Sequence, residues 1–531
     1  MTKMNVKMMN NTGRNTWYIV FFLFVASRLW STIYYIEDLD SLRFALAMKD
    51  YDVTAYQPHF PAYPVFCFLS KLIYILTGHY TLAFSAVGGL SAFSVIYFLL
   101  RTANIQPNSR LGILTIVLIF FNPLLWIMSN RYMPDMMGNA CIMACFHYLV
   151  PAPFTPKIEN YRGGAVNKGF FLTGLLLGIR LSYVPFLLPL LFVNLVGYKA
   201  KLPFWERCHR VGCGLLGVVV WFVPLILMTG WTDLFESAQI HSRGHFTEFG
   251  GTVMSEANFG LRLSKLFESI WADGFGFYWS ERHLSTAVST FALILIILIG
   301  GIRFAQLSIS KTNSRVAGIG SLKEAIIGKD FLCMLTFCCL TYLFWIFFCQ
   351  NVVHKSRHVL PLLPFLTLML AYIVNITVAH TVHYGENLVV KGVLVVWLFS
   401  FGYVSLQLVS QHKRPTAIAQ TLQLLRDLKE DQIRPLQIIS VPLIQYYLKA
   451  QGFESDYISI NGKDNLDLTG QLDPNAEWLT IGSPLPSEDL SKGTSKLGHK
   501  TRKLKAVHTF YHNPYVNRMW PKLNLYVYGV E

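Results

Sequence analysis

The chain has 531 residues, of which 53% are hydrophobic and 15% aromatic, whereas only 14% are charged. Since soluble proteins carry about a quarter charged residues, this composition excludes an ordinary soluble protein. Repeated apolar stretches of about 20 residues instead predict a polytopic membrane protein. The net charge of +15 is then typical of basic cytoplasmic loops. We therefore expect the lipid bilayer to be a partner, and no nucleic acid.

The first apolar run, Trp17 to Ile36, is long enough to cross a bilayer and follows a polar, basic stretch. Its length and its aromatic end distinguish it from a signal peptide, so we expect an uncleaved first span with a cytoplasmic N-terminus. The next run, Val65 to Leu76, is short and contains Lys71, which is typical of a helix on the outer membrane surface.

If that second run does not cross, the basic short loops all fall on the cytoplasmic side, as the positive-inside rule requires. Their charges are Arg101, Arg110, Lys157, Arg162, Lys168, Lys199, Lys201, Arg207, Arg210, Arg303, Lys311, Arg315, Lys323 and Lys329. The chain then has an external C-terminus and eleven spans, namely 17–36, 82–100, 111–128, 134–150, 168–182, 183–198, 210–229, 287–303, 331–349, 359–378 and 388–410.

From about Gln411 the composition changes to that of a soluble domain. Apolar runs at 436–441, 456–460, 478–481 and 523–528 predict strands and 443–450 predicts a helix, as in a small α/β domain. We therefore expect a transmembrane domain over 1–410, with external loops at 37–81 and 230–286, and a soluble extracytoplasmic α/β domain over 411–531. The predicted fold class is a polytopic α-helical membrane protein with this small appended domain.

Three carboxylates, Glu37, Asp38 and Asp40, stand where the chain leaves its first span. Carboxylates are costly near hydrocarbon, so their presence there indicates a functional site. A structural role is the alternative, because Asp is a favoured N-cap and either Asp38 or Asp40 precedes a helix predicted to begin at Ser41.

Further polar side chains fall on the same outer face in this topology. They are Arg131 and Asp135 between the third and fourth spans, Arg180 between the fifth and sixth, and Lys355, Arg357 and His358 before the tenth. Each has a structural alternative: Arg180 snorkels to the interface, or Asp135 caps a helix. Their convergence on one face is the informative feature.

Carboxylates and permanent cations at a membrane surface suit the transfer of a sugar from a polyprenyl phosphate. Arg and Lys neutralise the leaving phosphate, and a carboxylate takes the proton of the attacking acceptor hydroxyl. This mechanism requires no cofactor. The long external loop adds His245 and many aromatic residues, which suit a sugar platform and an interfacial aromatic belt equally well.

The order of motifs resembles the GT-C membrane glycosyltransferases. The motifs are the acidic stretch with Asp-Ser-x-x-Phe-Ala, then His-x-Pro-x-Tyr-Pro from His59, Arg-x-x-Pro-Asp ending at Asp135, and Lys-x-Arg-His-x-Leu-Pro from Lys355. The branch they resemble is the bacterial dolichyl-phosphate-mannose protein mannosyltransferase-like group, relatives of the lipid A aminoarabinose transferase. The resemblance covers about residues 15–400.

This resemblance implies that Asp40 is the general base, with Asp38 and Glu37 beside it. It makes Asp135 a second acid, leaves a divalent metal beside Asp135 open, and assigns the donor phosphate to Arg180, Lys355 and Arg357, with His358 adjoining. Further substrate-binding candidates are His59, Arg131 and His245. The usual adjacent Asp-Glu pair is replaced here by Glu37-Asp38-x-Asp40, which leaves the base open between Asp38 and Asp40.

The sequence thus predicts a membrane glycosyltransferase that moves a sugar from a polyprenyl-phosphate donor to a glycan, lipid or protein acceptor. We expect it in a bacterial inner membrane with its active site facing outward. A transporter or flippase of lipid-linked sugars is the alternative, since charges would also line its path, and a membrane sensor is a third reading. The sugar, the acceptor and the oligomeric state stay open.

Overall fold

The computed structural model describes residues 3–150, 162–197, 202–248, 250–310, 329–379, 384–431, 434–460, 472–473, 475–483, 494–497 and 500–529. Several charges of the predicted cytoplasmic loops lie outside these ranges, namely Lys157, Lys199, Lys201, Lys311, Arg315 and Lys323. The chain divides into two compact units. The first contains Met1–Thr32 and Leu46–Ser410, and the second contains Ile33–Ala45 and Gln411–Glu531.

The first unit is built from helices. They are α1 (Lys3–Trp30), the end of α2 (Leu39–Ala47), α3 (Pro64–Thr77), α4 (Tyr80–Thr102), α5 (Arg110–Phe120), α6 (Pro123–Asn130), α7 (Asp135–Leu149), α8 (Arg162–Arg180), α9 (Leu188–Val196), α10 (Phe204–Thr229), α11 (Trp231–Thr247), α12 (Phe259–Glu268), α13 (Leu284–Ser310), α14 (Lys329–Cys349), α15 (Leu363–Ala379) and α16 (Tyr384–His412), which ends in the second unit. Short 3₁₀ turns at Leu181–Phe186 and Ser356–Leu362 and a π turn at Ser269–Gly274 complete it.

Within the described residues, seven helices are long and apolar enough to cross a membrane. They are Tyr80–Thr102, Gly164–Phe186, Phe204–Thr229, Leu284–Ile302, Phe331–Cys349, Ser356–Val378 and Leu388–Glu430. The bent pair Arg110–Phe120 and Pro123–Asn130 makes eight if it counts as one span. The chain is thus an integral, multi-pass membrane protein, and the predicted count of eleven is not confirmed. The spans predicted at 17–36, 134–150 and 183–198 are not among these helices.

Local chemistry explains these differences. α9 has 9 residues and α7 has 15, so each is shorter than the roughly 20 residues that a span needs. The predicted first span ends early, at Trp30, where the hydroxyls of Ser31 and Thr32 donate hydrogen bonds to backbone carbonyls of the preceding turn. The bend of 54° after α5 falls where Asn122 caps the next helix and Pro123 begins it.

α3 coincides with the short run that was expected to stay on the membrane surface. It has 14 residues, which corresponds to a length of about 21 Å, less than the roughly 30 Å of a hydrocarbon core. Leu76 and Ile75 are exposed on it, whereas Phe66 and Cys67 are buried. The helix therefore has one apolar face free for lipid and one packed face.

The second unit contains a six-stranded mixed sheet. Its strands are β1 (Leu436–Ser440), β2 (Asp456–Ser459), β3 (Glu477–Ile481), β4 (Thr494–Leu497), β5 (Lys500–Tyr511) and β6 (Lys522–Gly529), in the order β2-β1-β3-β6-β5-β4. The first three are parallel and the rest antiparallel. Helices α17 (Ala417–Asp431) and α18 (Pro442–Ala450) join them. The four predicted strands and the predicted helix 443–450 are all present.

Segment Ile33–Ala45 is the unexpected member of the second unit, since the sequence assigned it to the transmembrane domain. α17, β4 and β5 were also not predicted. β5 begins with four polar residues in a strongly basic stretch, and its apolar residues lack the contiguous run that marked β1 and β3. Trp478 and Ile439, from those two apolar runs, lie in the core of this unit.

Candidate active site

Asp135 forms the centre of a buried charged cluster in the first unit. It is the first residue of α7, where a carboxylate is favoured by the helix dipole. Nη2 of Arg180, at the C-terminal end of α8, lies 3.0 Å from Oδ1 of Asp135. Nε of Arg357, in the turn before α15, lies 3.9 Å from the same oxygen. Two guanidinium groups thus face one carboxylate.

The hydroxyl of Tyr183 contacts both Asp135 and the turn that carries Arg357. Its hydroxyl lies 3.3 Å from Oδ1 of Asp135 and 3.4 Å from the backbone carbonyl of Arg357, and it can donate to either oxygen. The guanidinium carbon of Arg180 lies 5.7 Å from the centre of the Tyr183 ring. Because Tyr183 is completely buried, its hydroxyl fixes the positions of the acid and of the turn that carries Arg357.

Gly138 permits this close packing. It lies one turn after Asp135, and a Cβ atom at this position would stand 2.9 Å from Cβ of Arg180 and 3.0 Å from a ring carbon of Tyr183. Real Cβ atoms essentially never approach that closely to a neighbouring carbon. A side chain at 138 would therefore push α8 and its guanidinium away from α7.

His59 and Tyr63 extend the cluster towards the first external loop. Nη1 of Arg180 donates to the hydroxyl of Tyr63 at 3.4 Å, and that hydroxyl lies 3.2 Å from Nε2 of His59. The ring of His59 stacks on that of His241, with 5.1 Å between their centres. Four side chains therefore form a continuous row from the loop to Asp135.

Lys355, His358 and His245 lie around Arg357 and Arg180. Lys355 is half-buried and His358 is buried, with its backbone carbonyl accepting a hydrogen bond from Tyr342 at 2.9 Å. His245 lies 3.0 Å from the carbonyl of Cys349, to which its Nε2 can donate. Burial lowers the pKa of His245, its hydrogen bond to Cys349 opposes that shift, and the charges of Lys355 and Arg180 lower the pKa further.

Three polar atoms of this cluster are buried and have no hydrogen-bond partner among the described residues. They are Oδ2 of Asp135, Nε of Arg180 and Nδ1 of His358. Buried polar atoms in folded proteins are nearly always paired. The cluster therefore retains hydrogen-bonding capacity for a ligand.

Arg131 is half-buried at the start of the Arg-x-x-Pro-Asp motif. The residue before it, Asn130, is completely enclosed. Its side-chain oxygen lies 2.9 Å from the hydroxyl of Ser31, and its nitrogen donates to the carbonyl of Arg28 at 2.7 Å and to the hydroxyl of Ser85 at 3.1 Å. This network joins α1, α4 and α6 and fixes the start of the motif.

The acidic stretch lies in the second unit. Oε1 of Glu37 lies 2.9 Å from Nε2 of His412, and both side chains are almost fully buried. Oδ1 of Asp38 accepts from the backbone N–H of Ser41 at 2.9 Å, so Asp38 caps α2. Asp40 lies in the first turn of α2 and is half-buried. Of the two candidate caps, the structure shows that role for Asp38.

The structure brings Asp135, Arg180 and Arg357 together and links His59 to them through Tyr63. Sequence reasoning missed Tyr63, Tyr183 and Gly138, all of which touch Arg180. A buried tyrosine in an aromatic-rich chain carries no distinguishing signal, and a single glycine in a helix carries little more. Tyr63 offered one signal, because it is the tyrosine of the His-x-Pro-x-Tyr-Pro motif that begins at His59.

A divalent metal beside Asp135 fits poorly with the residues present. Among the described residues, no group of three or more His, Cys, Asp or Glu side chains could hold a metal ion. Arg180 and Arg357 also surround the carboxylate with positive charge, which repels a metal cation.

No family model matches this chain, and no curated protein matches it. Among solved structures it is similar to ArnT from Cupriavidus metallidurans bound to undecaprenyl phosphate, with 10% identity, a TM-score of 0.49, and coverage of 99% of this chain and 98% of that one. The apo structure of that ArnT has 11% identity and a TM-score of 0.46, and the match covers 98% of this chain and 97% of that one. AglB, an oligosaccharyltransferase from Archaeoglobus fulgidus, in complex with an inhibitory peptide and a dolichol phosphate, gives 12%, 0.42, 84% and 64%.

Because the identities are low and the TM-scores lie below 0.5, the activity of this chain is inferred from its own site residues.

Proposed function

We propose that this chain is a membrane glycosyltransferase that moves a sugar from a polyprenyl-phosphate donor to an acceptor hydroxyl. The observation that carries the proposal is the buried cluster of Arg180 and Arg357 around the single carboxylate of Asp135. Guanidinium groups that converge in a buried site bind anions through charge-assisted hydrogen bonds. Nε of Arg180 has no hydrogen-bond partner among the described residues, so the cluster favours an anionic ligand.

A phosphate group suits this cluster better than other anions do. Guanidinium groups match phosphate oxygens with paired, charge-assisted hydrogen bonds. Half-buried Lys355 stands two residues before Arg357 and adds a third cation for a phosphate that gains charge as it leaves. The unpaired Nε of Arg180 and Nδ1 of His358 offer further polar contacts for the donor.

The positions of the two arginines support a lipid-linked donor. Arg180 lies near the end of the span Gly164–Phe186, and Arg357 lies at the beginning of the span Ser356–Val378. Both are therefore at helix ends, where a membrane helix meets the interface. A phosphate held there has its polyprenyl chain in the bilayer and its sugar in water. We infer that this interface is the extracytoplasmic face of a bacterial inner membrane.

In the proposed reaction an acceptor hydroxyl attacks the anomeric carbon while the bond from that carbon to the phosphate oxygen breaks. The electrons of that bond leave with the phosphate, whose charge is stabilised by Arg180 and Arg357. The proton of the hydroxyl passes to a carboxylate, for which we propose Asp40. Its neighbour Asp38 already accepts the hydrogen bond that caps α2, which favours Asp40. The step requires no cofactor.

The test incubates purified protein with a panel of polyprenyl-phosphate sugars and a hydroxyl acceptor. The expected result is release of polyprenyl phosphate together with a glycosylated acceptor. A matched pair of variants, Arg180→Ala and Arg110→Ala, separates the proposed site from general charge, since Arg110 is exposed at the start of α5. An intact donor that merely crosses the bilayer of a vesicle would support a transporter instead. Equal release by the two variants would place the phosphate elsewhere.

A further inference from the structure

The acidic segment that follows the first helix is held in place by residues from the far end of the chain. Thr416 donates a hydrogen bond to the backbone carbonyl of Glu37 at 3.0 Å, and Tyr447 donates to the carbonyl of Ile36 at 2.7 Å. The hydroxyl of Tyr35 donates to the carbonyl of His412 at 2.6 Å. Together with the pairing of Glu37 and His412, these contacts form what we call the anchor.

The anchor is buried apart from Tyr35, which is half-buried. Glu37, Thr416 and Tyr447 have no exposed surface, and His412 is 1% exposed. Its contacts come from three places: the last residue of α16, the residue before α17, and the middle of α18. Buried hydrogen bonds that involve ionisable groups are stronger than neutral ones and cost most when one partner is removed.

The anchor ends directly before the carboxylates that the proposed reaction needs. It fixes the backbone at Ile36 and Glu37, Asp38 then caps α2, and Asp40 lies in the first turn of that helix. The contacts of the anchor use Tyr35, Ile36 and Glu37, and the side chain of Asp40 takes part in none of these four. Glu37 is thus committed to a structural partner.

We propose that His412, Thr416 and Tyr447 are positioning residues of the transferase, and that Glu37 is the anchor point rather than an acid that reacts. The C-terminal unit then has a defined task, which is to hold the segment that carries Asp40. This inference rests on the proposed function for its kinetic test but makes a structural prediction that does not depend on it.

The structural test is hydrogen–deuterium exchange on the full-length protein in detergent, comparing Tyr447→Phe with Tyr446→Phe. Both variants lose one hydroxyl, but that of Tyr446 has no hydrogen-bond partner among the described residues. We expect faster exchange in Ile33–Ala45 for Tyr447→Phe alone, with β3 unchanged as an internal reference. Equal exchange of that segment in both variants would overturn the anchor whether or not the protein is a transferase.

The kinetic test measures transfer by the same pair and by Glu37→Gln and Glu37→Ala. Misplacing a base by about 1 Å costs on the order of 10²-fold, so we expect Tyr447→Phe to lower kcat by about 10- to 100-fold with the donor KM unchanged. The amide of Glu37→Gln still accepts from His412 but cannot take a proton. It should keep most of the activity that Glu37→Ala loses.

The outcomes separate the anchor from the proposed function. If Glu37→Gln is as inactive as Glu37→Ala, Glu37 takes part in the chemistry and the anchor assignment is wrong. If Tyr447→Phe transfers at the wild-type rate while Arg180→Ala does not, the positioning role is wrong and the transferase stands. If the wild type transfers no sugar at all, the proposed function fails, and the exchange experiment still decides whether the segment is anchored.

Discussion

Nη2 of Arg180 lies 3.0 Å from Oδ1 of Asp135, and the two side chains are 7% and 0% exposed. A buried ion pair is stable only when its remaining polar atoms are also paired. In this pair Oδ2 of the acid and Nε of the arginine have no partner among the described residues. The carboxylate therefore orients the guanidinium and leaves part of both groups for a third molecule.

Replacing Arg180 should separate charge from geometry in the proposed phosphate site. Loss of a preorganised hydrogen-bond donor typically lowers the rate by about 10²- to 10³-fold. Arg180→Ala should therefore reduce turnover of the polyprenyl-phosphate sugar by that amount. Arg180→Lys keeps the charge but cannot pair in a bidentate manner, and we expect an intermediate loss. Turnover assays with a fixed donor measure all three proteins, with Arg110→Ala as the exposed control. A fully active Arg180→Lys would show that charge alone suffices.

The acids of the first loop make a second prediction. Asn caps a helix about as well as Asp, so Asp38→Asn should preserve α2 and most of the transfer. Asp40→Asn should fold normally and retain donor binding, yet transfer should fall by about 10²- to 10⁴-fold, the usual contribution of a general base. Donor binding and turnover are measured separately for each variant. The reverse order of activities would make Asp38 the base.

Gly138 provides a test at a position that touches no substrate. The added methyl of Gly138→Ala meets Cβ of Arg180 and the ring of Tyr183 at about 3 Å, so α8 must shift and donor affinity should fall. Gly212→Ala, in α10, is the matched control, because its Cβ would meet nothing within 4 Å. Alanine there should raise stability by up to roughly 1 kcal/mol through helix propensity. Thermal unfolding and donor titration report the two effects.

His245 predicts a pH dependence of stability. Burial, and then the nearby Lys355 and Arg180, lower the pKa of this histidine below its usual 6.5. Between the lowered value and 6.5 the unfolded chain binds more protons than the folded one, so stability falls as the pH drops through that window. The melting temperature of wild type relative to His245→Gln should therefore decrease between about pH 7.5 and 5.5. A constant difference across that range would contradict the lowered pKa.

Labelling of introduced cysteines tests the predicted membrane topology. In a protein freed of its nine cysteines, Val507→Cys lies in the second unit and Asn108→Cys in the basic loop before α5. Both native side chains are exposed, so accessibility depends on the side of the membrane. We expect an impermeant thiol reagent to label only position 507 in intact cells. Labelling at 108 from outside would reverse the predicted orientation.

Sequence patterns predicted much of this fold for a plain physical reason. Strands β1 and β3 and most spans are continuous apolar runs, and such runs have few alternatives to burial. Arg180, Asp135 and Arg357 were also singled out, because charges at the ends of apolar helices are conspicuous. Their side chains lie together in the structure, and their role in binding the donor stays a prediction. The span count could not be obtained in this way, since α7 and α9 are apolar but too short to cross.

What the sequence could not show is long-range pairing. Glu37 was read together with Asp38 and Asp40 because the three are neighbours in the chain, yet its partner is His412, 375 positions away. Periodicity and composition describe local segments only. Residues 33–45 therefore looked like part of the transmembrane domain, although they belong to the same compact unit as the C-terminal sheet.

The long sequence distance between the acidic segment and the residues that hold it affects how the protein is made. Ile36 and Tyr447 are 411 positions apart, and ribosomes add about 5–20 residues per second. The acidic segment thus emerges on the order of 20–80 seconds before the tyrosine that holds its backbone exists. A nascent chain that stalls after its last membrane helix would contain every cation of the proposed phosphate site. The segment that carries Asp40 would still lack its hydrogen bond from Tyr447. Completion of translation would act as the step that switches the enzyme on.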